Sequence, residues 1–287
     1  MITLVRDGQR AVVSPLGAEL KAWSVDGRDL LWPGDPAWWS GTAPVLFPIV
    51  GWARDGMIRV DGVDRPMGVH GFAAASRFRE VGRDEASCTL ELAADAGTRA
   101  LYPFAFRLAV THTLTTAGLS TELAVSNQGD RPMPYALGLH PGFRWPLTGN
   151  RREGHALVFA EAEEPSVPVI APGGLFSAER RPVPLDGRRL ALTDVLFAAE
   201  ALCFLDARST SWTLEGPDGA RLTMALDGLP HLALWSKPGA PFLCMEAWTG
   251  HGDPVGFSGE LADKPSMRLL APGASDRVRM SLAFTPR

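Results

Sequence analysis

Short apolar runs, cut at close intervals by glycine and proline, constrain this chain more than any other feature. The 287 residues include 30 glycines and 24 prolines, spread evenly rather than pooled in a linker. Proline lacks the amide proton that a helix interior or a central strand needs, and glycine weakens both, so the segments between them stay short. The runs that survive alternate with period two. In FRLAVTHTLT, the residues Phe106, Leu108, Val110, His112 and Leu114 share one face. After a turn at TTAGL, Leu119, Leu123 and Val125 share a face of the next run, which predicts an antiparallel hairpin. Further strands are expected in ARLTMALDG, HLALWSK, FLCMEAWTG and RVRMSLAF, and Asp7-Gly8 and Asp26-Gly27 predict tight turns near the start. The one helix expected is Leu192 to Leu202, with Thr193 or Asp194 as its N-cap. No composition break or fixed-period repeat divides the chain. The expectation is one all-β domain over residues 1–287, a large antiparallel β-sandwich with few short helices.

Composition removes several function classes. The net charge is −4, with no clustered basic segment and no aromatic-basic interleaving, so no nucleic-acid partner is expected. The 25 arginines against 3 lysines read as codon bias rather than a binding patch. No apolar run is long enough to span a bilayer, and the first residues lack a signal-peptide core, so no membrane partner and a cytoplasmic location are expected. Cys88, Cys203 and Cys244 are too few and too far apart for a disulfide framework or a metal cluster, and read as buried apolar residues. Metalloprotease, phosphate-loop, dinucleotide and nucleophile-elbow motifs are absent, so neither a metal nor another cofactor is expected.

The chemistry narrows to histidines and one carboxylate. His70, in MGVHGFAAASRF, and His140, in LGLHPGFRWPL, each sit among glycines with an aromatic following. Such a loop holds an imidazole against a ligand or is only a turn, and the residues leave both open. His112 and His231 read as strand or strand-start residues, and His155 as loop or strand start. In PFLCMEAWTGHGDP, Phe242, Cys244, Glu246 and Trp248 share one face, which makes Glu246 the single acid in an apolar strand. A buried carboxylate must find partners or take up a proton. Glu246 therefore either pairs with an arginine from a neighbouring strand or forms the base of a pocket beside Trp248.

Four segments together resemble the aldose 1-epimerase (galactose mutarotase) superfamily, nearest its compact bacterial LacX-like branch. They are SPLGAELKAW, APVLFPIVGWARDG with MGVHGFA, GLHPGF, and LALWSKPGAPFLCMEAWTG, in the family's order along the whole chain. The resemblance implies a β-sandwich with a sugar cleft and interconversion of the α and β anomers of a free aldose. It implies Glu246 as general base, His140 as general acid and His70 as a second histidine holding the substrate. Reference pKa values fit an ionised Glu and a mostly neutral His at pH 7, and Glu246 is expected to favour the imidazolium of His140.

The departures bear on the sugar. Trp52 follows the FPIVG glycine where relatives often carry arginine, with Arg54 two positions on. Trp52 is either a stacking surface or a core aromatic. Ala74 and the SGTAP segment offer no arginine where the hexose 6-phosphate branch clamps phosphate; Arg77 is the nearest substitute, which favours an unphosphorylated sugar. Asp194 is either a substrate contact or a helix cap. Two alternatives accompany the epimerase: a non-catalytic carbohydrate-binding sandwich, and an epimerase acting on a hexose 6-phosphate. A glycoside hydrolase would want two flanking carboxylates, and only Glu246 sits in a site-like motif. The sequence leaves the sugar and the oligomeric state open.

Overall fold

A computed structural model describes residues 1–287. The larger sheet has nine antiparallel strands, in the spatial order Arg189–Ala191, Ala156–Phe159, Ser211–Glu215, Arg221–Asp227, Ser275–Thr285, Gly118–Asn127, Phe106–Thr115, Ser87–Ala93 and Arg79–Arg83. The predicted hairpin lies at its centre. Phe106–Thr115 and Gly118–Asn127 pair without a break from Phe106 opposite Asn127 to Thr115 opposite Gly118. Their alternating residues are buried on one face, as the period-two pattern requires. A second sheet runs Leu202–Phe204, His231–Trp235, Phe242–Trp248, Gly138–Leu139 and Val45–Leu46, with Gly142–Arg144 also paired to Phe242–Trp248. The N-terminal strands Ile2–Arg6, Gln9–Val13, Leu20–Val25 and Arg28–Asp29 make a third sheet, turning at Asp7-Gly8 and Asp26-Gly27. All four turn residues have positive φ, the conformation for which Asp-Gly is suited.

The two large sheets share one contiguous core of 65 buried apolar residues, reaching from Ile2 to Leu282. The strand Phe242–Trp248 is buried along its entire length because both of its faces are covered. Leu243, Met245 and Ala247 point into the main core. Phe242, Cys244 and Trp248 point the other way, into two small apolar clusters lining the opposite face. Glu246 lies among these last residues.

The helical expectation needs correction. Leu192 to Leu202 is not a helix: only Asp194–Phe197 forms a short 3₁₀ turn, and Thr193 caps it with no side-chain hydrogen bond. Leu202–Phe204 pairs as an edge strand instead, so sheet packing overrides local propensity. The one α-helix is Ala96–Leu101, where Asp95 and Thr98 form a reciprocal capping box.

His112 shows how the sandwich holds a histidine with no role in a cleft. It is buried between the sheets, with Nε2 2.9 Å from the Ala18 carbonyl and Nδ1 3.0 Å from the Thr121 hydroxyl. The ring is therefore assigned neutral, with Nε2–H donating. Burial lowers its pKa to about 4, and burial likewise lowers His70 and His231 to about 4. In the unfolded chain these rings take up protons near pH 6.5, whereas the folded chain refuses them until about pH 4. Their stabilisation is therefore complete above pH 6.5 and is lost as pH falls toward 4, at about 1.4 kcal/mol per pH unit for each ring. Urea midpoints measured between pH 7 and 4 should fall, and His112→Gln should flatten the fall by one ring's share. A midpoint independent of pH over this range would contradict the assignment.

Candidate active site

Glu246 is 2% exposed and has no arginine partner. Its Oε2 accepts a hydrogen bond from Trp248 Nε1 at 3.2 Å, two residues along the same face of the strand. Its Oε1 lies 3.2 Å from His140 Nε2. Of the two readings left open by the sequence, the geometry gives the pocket carboxylate. Burial pushes the Glu246 carboxyl well above the usual carboxylate range, against a smaller lowering from the Trp248 indole.

His140 was expected on a loop. It sits instead inside the second sheet, between two short segments that both pair with the Glu246 strand. Its amide donates to the Pro44 carbonyl at 3.1 Å, and the Met245 amide donates to the Pro141 carbonyl at 3.1 Å. The flanking glycines serve close approach rather than turning. A Cβ on Gly138 would come within 2.9 Å of Leu46 and Trp248, and one on Gly142 within 2.8 Å of the Trp39 ring. Phe143 and Trp145 are fully buried and anchor the segment. Trp39 stacks on the His140 imidazole, with ring centroids 5.1 Å apart and planes at 30°.

Burial works against the His140 imidazolium that Glu246 is expected to favour. Burial first, and then the neighbouring His70, push His140 far below the ordinary histidine range. His140 Nδ1 is buried with no hydrogen-bond partner, so a proton there would be unsatisfied. Both members of the pair are thus biased toward their neutral forms.

His70 occupies a left-handed backbone position, φ 63°, followed by Gly71 at φ 78°. Two bonds to Gly51 hold this turn: the His70 amide donates to the Gly51 carbonyl at 2.9 Å, and the Gly51 amide donates to His70 Nδ1 at 3.1 Å. Because Nδ1 accepts, the tautomer is assigned with the proton on Nε2. The His70 ring meets His140 edge-on, with centroids 5.4 Å apart.

These groups line a cavity of about 340 Å³. Its walls are largely aromatic: Trp39, Trp52, Phe176, Trp235 and Trp248, with Ile170 and Gly174 from the hairpin Ser166–Ala171/Leu175–Pro182. The polar lining comprises His70, His140, Glu246 and Glu200, and no lysine or arginine reaches it. Trp52 is 46% exposed, so it is a wall residue rather than a core aromatic. No group of three His, Cys, Asp or Glu is arranged to hold a metal ion.

The cavity therefore collects Glu246, His140, His70, Trp52 and Trp248. It does not collect three other candidates. Arg54 lines a separate small groove and pairs with Asp55. Arg77 is exposed elsewhere, in a backbone bridge with Leu16. Asp194 accepts hydrogen bonds from Arg152 and the Gly239 amide, away from the cavity and without capping a helix. Sequence reasoning missed Trp39, Trp235, Phe176 and Glu200. Glu200 has φ 65°, and Arg181 holds its segment through the carbonyls of Glu200 and Ala201. A polar residue closing the apolar run before Leu202 was its only sequence signal.

With this geometry in place, the comparisons are direct. The family model described as aldose 1-epimerase matches residues 1–252. This chain belongs to the aldose 1-epimerase family. Protein LacX, chromosomal, from Lactococcus lactis subsp. lactis is 33% identical over 258 residues, 86% of each chain. A galactose mutarotase-like protein from Lactobacillus casei ATCC 334 superposes with a TM-score of 0.93 at 28% identity, over 99% of this chain and 100% of that one. A galactose mutarotase related enzyme from Lactobacillus acidophilus gives a TM-score of 0.92 at 27% identity, over 99% and 97%. The all-β architecture and the family's sugar-directed chemistry thus have support independent of the cavity. In this member of the aldose 1-epimerase family, a glutamate, two histidines and an aromatic wall meet in one cavity.

Proposed function

We propose that this protein is an aldose 1-epimerase acting on an uncharged free aldose, with Glu246 as base, His140 as acid and His70 as a fixed donor. The observation that carries the reading is the 3.2 Å contact between Glu246 Oε1 and His140 Nε2 inside a cavity. In a cyclic aldose the O1 hydroxyl and the ring oxygen are both bonded to C1. One base and one acid side by side therefore serve both atoms. Glu246 takes the O1 proton as His140 delivers a proton to the ring oxygen, and the C1–ring oxygen bond breaks to give the aldehyde. Rotation about C1–C2 presents the other carbonyl face. Ring closure returns one proton from Glu246 to O1 and the other from the sugar hydroxyl to His140.

The electrostatics favour this direction of transfer. Ring opening starts from the carboxylate–imidazolium form of the pair, which burial disfavours, and converts it into a carboxylic acid and an imidazole. Burial raises Glu246 and lowers His140, so both shifts pull the protons the same way. His70, held neutral with Nε2–H free of the Gly51 contact, donates to a sugar oxygen. The tryptophans supply faces for the apolar side of the ring, and Glu200 supplies an acceptor for its hydroxyls. A site that only bound sugar would have no need of an acid and a base in contact.

Polarimetry on freshly dissolved aldoses tests the proposal: the protein should accelerate anomer equilibration of at least one of them. A protein that binds sugar yet accelerates none would leave only the binding role. The charge of the cavity sets a second expectation. The Glu246–His140 pair adds no net charge, so with Glu200 in the lining and no lysine or arginine, a hexose 6-phosphate meets like charge and nothing to offset it. Its kcat/KM should fall on the order of 100-fold below that of the matching free hexose. Equal or better turnover of the phosphate would overturn the uncharged-substrate reading.

A further inference from the structure

One buried ion pair lies behind the cavity wall and outside the proposed chemistry. Lys264 Nζ is 2.9 Å from Asp253 Oδ1, with Lys264 2% and Asp253 6% exposed. The chain uses arginine for nearly every cation, and this is one of its three lysines. An ammonium is a compact point charge, suited to a space with room for one carboxylate oxygen and no guanidinium fork. A buried ion pair is a poor device for stability alone, since well-packed apolar groups of equal volume serve as well or better.

What distinguishes the pair is what Asp253 holds. Its amide donates to the Trp52 carbonyl at 2.9 Å. Its Oδ2 accepts from the Arg54 amide at 2.9 Å. Its carbonyl accepts from the Phe176 amide at 2.9 Å. One residue thus ties together the segment carrying Trp52 and the hairpin carrying Gly174 and Phe176, two adjoining parts of the cavity wall. They are already in close contact: a Cβ on Gly174 would lie 2.0 Å from Trp52 Cδ1. Lys264 holds the Asp253 carboxylate in place from behind, through an atom none of these bonds uses.

We infer that Asp253, pinned by Lys264, is the positioning residue that sets Trp52 against the Gly174–Phe176 wall and so fixes how tightly the sugar is gripped. The inference rests on the proposed sugar site. It assigns Asp253 and Lys264 no proton transfer and no contact with substrate.

The test is the double variant Asp253→Asn/Lys264→Met, which removes both charges at similar volume and keeps the fold measurable where either single change leaves a buried charge unpaired. KM should rise on the order of tenfold with kcat within about twofold of wild type, because binding is loosened while the acid–base pair is untouched. In a Trp52→Ala background the same double change should add little, since the residue it positions is gone. Calorimetric affinities for the same aldose should follow the KM values. An unchanged KM with a folded protein, or a KM effect that simply adds to that of Trp52→Ala, would overturn the inference. If the wild type binds sugar without accelerating equilibration, the epimerase proposal fails, while the calorimetric comparison still decides this one.

Discussion

Glu246→Gln should lower kcat for anomer exchange about 10³-fold, within the ~10²–10⁴-fold that a positioned acid or base contributes. The loss should fall on kcat, with KM little changed. Glutamine keeps an acceptor for Trp248 Nε1 and nearly the volume of the acid, so the cavity persists. It cannot take a proton from O1. Folding stability should hold or rise, because the site already favours the uncharged acid at this position. Stopped-flow polarimetry together with a urea titration separates the outcomes. A folded variant with kcat within tenfold of wild type would remove Glu246 as the base.

His140→Asn should also cost about 10²–10⁴-fold in kcat, and its pH dependence carries the sharper content. In the wild type the active pair holds one proton more than a carboxylate beside a neutral imidazole. As pH rises the pair loses that proton, so the wild-type rate should fall on the alkaline side. The apparent pKa of that limb belongs to the pair rather than to either residue. In His140→Asn only the base remains, and Glu246 must ionise before it can act. Because burial raises the Glu246 pKa, the residual rate should climb as pH rises through that ionisation. The variant and the wild type thus slope in opposite directions on the alkaline side. Parallel profiles would mean that His140 does not supply the proton.

The strands were legible because their signal is local. Period-two alternation from Phe106 to Val125 states which side chains face inward, and the paired register follows. Glu246 stood out for a related reason, as a carboxylate that an apolar strand cannot bury without a partner. Its partner was not legible, because the 3.2 Å contact with His140 joins residues from different strands, brought together only by pairing. The same limit hid Trp39 and Glu200, which reach the cavity from segments with no site-like pattern. Asp194 misled in the opposite way. Its place before an apolar run suggests a cap or a substrate contact, yet the carboxylate is taken up by Arg152 and the Gly239 amide. Arg54 and Arg77 were chosen by nearness in sequence to the site segments, but 3₁₀ turns at Arg54–Gly56 and Ala73–Ala75 break the extended backbone there. The expected loop around His140 failed because both flanking segments pair with the Glu246 strand, where the glycines make room for Trp248 and Trp39 in a packed sheet.

The central claim is that Glu246 and His140 together exchange the anomers of a free aldose. Exchange NMR at anomeric equilibrium measures this directly, by following magnetisation transfer between the α and β C1 protons with wild type, Glu246→Gln and His140→Asn at equal concentration. The account predicts transfer well above the spontaneous rate with wild type and close to the spontaneous rate with each variant, while the C1 proton itself is retained because only oxygen-bound protons move. Wild-type transfer no faster than buffer, or transfer undiminished in both folded variants, would contradict it.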